Sequence, residues 1–84
     1  MEEEREVGFV THYFSKIGVA VIELTDTLTA GSTIHIKGAT SDFTQPVDSM
    51  QIEHEQVKEA TAGQSIGLKV KEPVREHDKV FVAE

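Results

Sequence analysis

Four histidines and fifteen carboxylates are the groups with chemistry to offer in this 84-residue chain. His12, His35, His54 and His77 stand 23, 19 and 23 residues apart. A metal site needs ligands that converge, and short spacings such as H-x-x-x-H are how a sequence announces it; none occurs here. The histidines therefore read as surface or rim residues. His54 shares parity with Met50 and Ile52, which makes it a half-buried histidine at a strand end. Ser15 and Ser65 have no histidine-plus-acid neighbourhood in the sequence. Glu53 and Glu55 form one of many carboxylate pairs, but a catalytic carboxylate needs a pocket that shifts its pKa. Neither a phosphate-cradling glycine loop nor a G-x-S-x-G elbow is present. With no cysteine there is no disulfide framework and no thiolate zinc site. The chain reads as non-enzymatic, with no cofactor, no nucleotide and no metal.

Charge narrows the partners. The net charge is −7, whereas nucleic-acid binders usually present a basic field to phosphate. Lys69, Lys71, Arg75 and Lys79 nevertheless gather four of the eight basic residues within eleven positions. Glu72, Glu76 and Asp78 share that segment, so four positive and three negative charges leave it at +1. These four are the RNA-binding candidates, set against a plain solvated strand-and-turn face. No apolar run approaches the ~20 residues that span a bilayer. The acidic start, Met1 to Glu6, lacks a signal-peptide core, so the expectation is a cytoplasmic protein without membrane contact.

The element that must position any site is Leu28 to Gly38. A turn at Ala30-Gly31-Ser32 launches a strand in which Ile34 and Ile36 alternate with Thr33, His35 and Lys37, the pattern of one buried and one wet face. Ala62 to Ser65 launches Ile66 to Val70 in the same way, and Glu76 to Asp78 launches Lys79 to Val82. Val7 to Phe14 reads as a first strand, with Gly8 marking a bulge or a close backbone approach. A loop over 15–18 leads to a second, Val19 to Leu24. Phe43 to Glu55 reads as one long bent strand with Pro46 at an edge. Gln56 to Ala60 reads as one helical turn capping the core. Six strands with their edges closed make a small Greek-key barrel. The division is an acidic flexible tail over residues 1–5 and a single barrel over 6–84.

Parity then sorts the faces. Ala20, Ile22, Leu24, Leu28, Ile34, Ile36, Val80 and Val82 belong to the core, which leaves Val19, Val21 and Phe81 outward. Those three are the protein-contact candidates.

Several stretches resemble a known family. Glu6 to Val10, Leu28 to Gly38, Val47 to His54 and Ala62 to Leu68 are similar to domain II of translational GTPases such as elongation factor Tu. The carrying motif is L-x-x-G-D-x-[IV]-x-[IV]-x-G followed by A-G-D-x-[IV]-G, and the likeness covers residues 6 to 82. The chain also resembles the small barrel appended to collagenase-like bacterial peptidases, and is most similar to short free-standing elongation-factor-like proteins. The resemblance implies a six-stranded Greek-key β-barrel of the translation-protein type, lacking the GTPase domain. Ser32 and Gln64 replace the usual Asp of the two turns, and only Asp78 keeps the acid in the third. Ser32 still serves a turn, because its hydroxyl can bond the local backbone. The family's tRNA-pocket positions fall at Gln51, Glu53, Ser65 and Lys69, none kept in kind, so tRNA binding is not carried over. Two readings follow: a translation- or RNA-associated binding module, or an accessory barrel that docks on a protein partner or forms a weak homodimer.

Overall fold

Alternating apolar residues turn this chain into strands almost throughout. The computed structural model describes residues 4–39, 41–53 and 55–83. Its elements are β1 (Glu4–Phe14), β2 (Val19–Leu24), β3 (Leu28–Thr29), β4 (Thr33–Lys37), β5 (Asp42–Pro46), β6 (Met50–Ile52), β7 (Glu55–Val57), β8 (Glu59–Ala60), β9 (Ser65–Lys69) and β10 (Lys79–Ala83). There is no helix among the described residues, and hence none long and apolar enough to cross a membrane. The fold is all-β. Glu4 and Arg5, expected in the tail, belong to β1 and pair with Ala83 and Val82. Residues 1–3, Thr40, His54 and Glu84 lie outside the described residues, and with His54 goes the reading of its burial.

The sheet is not the closed six-stranded barrel that the pattern suggested. Eight strands run antiparallel in the order β5-β4-β10-β1-β2-β9-β6-β7, and β3 and β8 form a separate pair. Phe43 to Glu55 does not hold together as one strand. Pro46 has no N–H for a ladder and closes β5. Val47 then turns to other partners: its N–H donates to the Ser32 carbonyl and its carbonyl accepts the Gly31 N–H, both at 2.8 Å. Pairing resumes at Met50, and Glu53, at φ 52°, turns β6 back into β7. Gln56 to Ala60 is extended, not helical. Five residues are too few for a stable helix, and β6 and β3 offer their backbone groups ladder partners instead.

The inward parity holds. Val7, Val10, Ala20, Ile22, Leu24, Leu28, Ile34, Ile36, Met50, Ile66, Leu68 and Val80 are buried in one cluster, and Val57 and Val82 pack against it. Gly8 sits at the β1 bulge, where the register to β10 shifts between Glu6 and Gly8. Gly31 and Gly63 take φ of 96° and 90° in the two A-G turns. The third turn places His77 in the same left-handed region at φ 77°. Buried Asp78 steadies that turn by accepting the Arg75 N–H at 3.0 Å.

Candidate protein-docking surface

The β1–β2 hairpin carries apolar side chains past the end of the core. Ile17 and Gly18 N–H groups donate to the Phe14 carbonyl at 3.2 and 2.8 Å, which turns the chain tightly. The turn leaves Phe14 46% and Ile17 62% exposed, the large apolar residues that stand out most among the described residues. Val19 and Val21 follow on the outer face of β2, half-buried. Opposite Val21 on β9 stands Gly67, and opposite Gly67 on β6 stands Gln51. With no side chain at Gly67, the outer face sinks into a hollow of about 330 Å³ lined by Phe14, Ile17, Val19, Val21, Gln51 and Glu53. A smaller hollow of about 210 Å³ continues it past Val19 towards Ser49 and Lys69. His12 meets Phe14 edge-on, with ring centroids 4.4 Å apart.

Two of the three protein-contact candidates, Val19 and Val21, thus belong to one apolar face. Phe81 does not. It pairs with Glu6 across β10–β1, while Val21 pairs with His12 across β1–β2. Glu6 and His12 are six residues apart on β1, roughly 20 Å along a strand. Phe81 packs instead near the His35 ring, at a centroid distance of 6.4 Å. Sequence parity missed Phe14 because the β1–β2 register shifts between Val10 and His12, which puts Phe14 opposite outward Val19, and missed Ile17 because it lies in the turn. Their large side chains flanking a short loop were the available signal.

The four basic candidates do not form one patch. Lys69 and Lys71 line a groove of about 350 Å³ with Gln45, Pro46, Asp48 and Ser49. Lys79 lies on β10, separated from β9 by β1 and β2, or roughly 14 Å across the sheet. Its ammonium is 3.6 Å from Glu6. Arg75 belongs to the turn before β10. Among the described residues no cluster of three or more His, Cys, Asp or Glu is arranged to hold a metal. A further groove of about 740 Å³ between residues 29–31, 47–48 and 56–58 contains Asp48 and Lys58 as its charged residues.

No family model matches the chain. An uncharacterised protease of Methanocaldococcus jannaschii is 41% identical over 78 residues, which is 92% of this chain and 19% of that protein. A collagenase of Porphyromonas gingivalis is 40% identical over 77 residues, 89% of this chain and 21% of that protein. The chain thus spans about a fifth of the length of the relatives it matches. Among solved structures, the C-terminal domain of a Geobacillus thermoleovorans protein assigned to the U32 peptidases superposes with a TM-score of 0.86 at 22% identity. That match covers 90% of this chain and 96% of that one. The chain has the fold of that C-terminal domain.

These matches correct three expectations. The likeness to domain II of translational GTPases gives way to the peptidase side of the resemblance, where both sequence and structural matches lie. The motif misled because it records turn geometry: Gly31 and Gly63 sit at positive φ, where a side chain is disfavoured, and a strand follows. Translation association and RNA binding fall with that likeness, since the relatives are proteases and the four basic residues are dispersed. The expectation of a non-enzymatic chain is overturned too, because the relatives are named protease and collagenase.

Proposed function

We propose that this chain is a docking module of a peptidase, held to the body of the enzyme by the face around Phe14, Ile17, Val19 and Val21. The observation that carries this reading is an exposed apolar hairpin beside a hollow, on a chain whose relatives are about five times its length. Apolar side chains gathered in one place around a concavity favour a protein partner, because burying them removes apolar area from water. In this reading proteolysis is carried out by the part of the enzyme outside the matched stretch. The module contributes position: it fixes whatever packs over Gly67 relative to a rigid sheet.

The test is an NMR titration of the isotope-labelled chain with a peptidase relative from which the matching stretch has been deleted. Shifts at residues 14–21, 51 and 67, lost in Phe14→Ser/Ile17→Ser, are expected. Shifts confined to the β4–β5–β10 face would overturn the docking surface. Concentration-dependent sedimentation of the chain alone, abolished by the same double variant, would assign the face to self-association.

A further inference from the structure

His35 stands at the centre of β4 with both ring nitrogens engaged by carboxylates. Its Nδ1 lies 2.6 Å from Glu4 Oε2 on β1, and its Nε2 lies 2.5 Å from Asp42 Oδ1 on the edge strand β5. The side chain is only 18% exposed. Between β4 and β1 lies β10, so the Glu4 contact spans a whole strand across the outer face, close to Phe81. We propose that His35 is a proton-operated clasp, which holds the N-terminal end of β1 and the edge strand β5 to the sheet when doubly protonated and lets one of them go when neutral.

The geometry itself demands the proton. A carboxylate accepts hydrogen bonds, and a neutral imidazole has one N–H to give and a lone pair on the other nitrogen. Two carboxylates on two nitrogens are both satisfied only by the imidazolium. When His35 is neutral, one carboxylate faces a lone pair and gains nothing by staying. The two contacts accordingly raise the His35 pKa above the ordinary 6.5, the Asp42 hydrogen bond most, then that of Glu4, against a smaller opposing effect of burial. Among the described residues, the other charged groups on this face are Lys37 on β4, near Asp42, and the Glu6–Lys79 pair across β1 and β10. The clasp joins places that need it. β5 is the end of the eight-stranded order, and an edge strand is held by ladder bonds on one side alone. Glu4 begins β1, where strand ends fray.

The experiment follows the His35 ring by NMR through a pH titration of the parent protein and of Glu4→Gln and Asp42→Asn. In parallel, urea midpoints of the parent and His35→Gln are measured across the same range. The His35 midpoint should lie above 6.5 in the parent and move down in each carboxylate variant. The parent's urea midpoint should step down as pH rises through the His35 titration, a step that His35→Gln lacks. Amide protection over residues 4–6 or 42–46 should fall at the same pH by roughly threefold to tenfold, the scale of a partly exposed ion pair. A parent His35 titrating at or below 6.5, or an equal step in His35→Gln, would overturn the clasp. The ring titration decides the matter even if a variant fails to fold.

Discussion

The Gln45 side chain donates its Nε2–H to the Lys69 carbonyl at 2.9 Å, joining edge strand β5 to the end of β9 where no ladder connects them. Its Oε1 accepts the Lys71 N–H, also at 2.9 Å. One amide thus does for two backbone groups what a neighbouring strand would do, and the curled sheet is clamped shut by a side chain. Gln45 is 7% exposed, and the bonds it makes are partly buried at the floor of the groove beside Lys69 and Lys71.

Replacing that amide should therefore open the seam. Gln45→Leu keeps the bulk but leaves the Lys69 carbonyl and the Lys71 N–H without their partner, and an orphaned polar group costs ~1–3 kcal/mol. A loss of about 2–4 kcal/mol in urea melts is expected. Gln45→Glu should lie between, since a carboxylate still accepts from Lys71 but cannot donate to Lys69. Equal stability of the parent and Gln45→Leu would show that water replaces both bonds and that the clamp is incidental.

Two glycines in this sheet should behave in opposite ways. A Cβ at Gly8 would lie 2.6 Å from the Glu23 carbonyl oxygen and 3.0 Å from Ile22 Cγ2. The first of these is backbone and cannot swing aside. Gly8→Ala should cost about 2–3 kcal/mol by overpacking. A Cβ at Gly67 would meet Val19 Cγ1 at 3.7 Å and the Gln51 carbonyl at 3.9 Å, which is ordinary contact. Gly67→Ala should be neutral or stabilising by up to about 1 kcal/mol, because alanine loses less backbone entropy in a strand. The same substitution partly fills the hollow, so docking should weaken while thermal unfolding stays put or rises.

The contrast between these glycines shows where sequence reading succeeds. Gly8 was legible as a bulge or a close backbone approach because a glycine amid aromatic and β-branched residues is a local anomaly. The buried positions Ile34, Ile36, Ala20, Ile22 and Val80 were legible because strand parity is a local period of two. What joins distant strands was not legible. Nothing in the spacing of Gln45 and Lys69, or of Glu4, His35 and Asp42, marks them as neighbours, because register between strands depends on the whole topology. Pro46 hinted at an edge, yet the break of the long strand at Val47 depended on the Ser32 carbonyl and the Gly31 N–H lying within reach. The proposed docking face was half legible: Val19 and Val21 from parity, Phe14 and Ile17 only from the hairpin.

Stability should depend on pH in a defined window. His35 has its pKa raised, so its contribution is fully present below 6.5 and is lost as pH rises through the folded value. Asp42 has its pKa lowered, chiefly by the hydrogen bond from His35, so its contribution is present above 3.8 and is lost as pH falls through the folded value. Between the two folded pKa values both groups are charged and the contact is complete. Thermal unfolding midpoints should form a plateau there and fall on both sides. His35→Gln should flatten the alkaline shoulder. A midpoint that rises steadily through neutral pH would contradict the assignment.

The docking face and the core should separate cleanly by substitution. Phe14 and Ile17 are exposed and support the hairpin through backbone atoms, the Phe14 carbonyl accepting from the Ile17 and Gly18 N–H groups. Replacing their side chains leaves those bonds in place. Phe14→Ser/Ile17→Ser should therefore change unfolding stability by within roughly 0.5 kcal/mol per site, as for surface positions in general. Ile36, fully buried opposite Phe43 on β5 and Val80 on β10, behaves otherwise. Ile36→Ala empties a site that its neighbours cannot close and should cost ~2–5 kcal/mol. The two sets of urea melts, with circular dichroism as the probe, settle which residues the fold needs. If the hairpin pair proved as costly as Ile36→Ala, those side chains would belong to the fold itself, and their exposure would no longer argue for a partner.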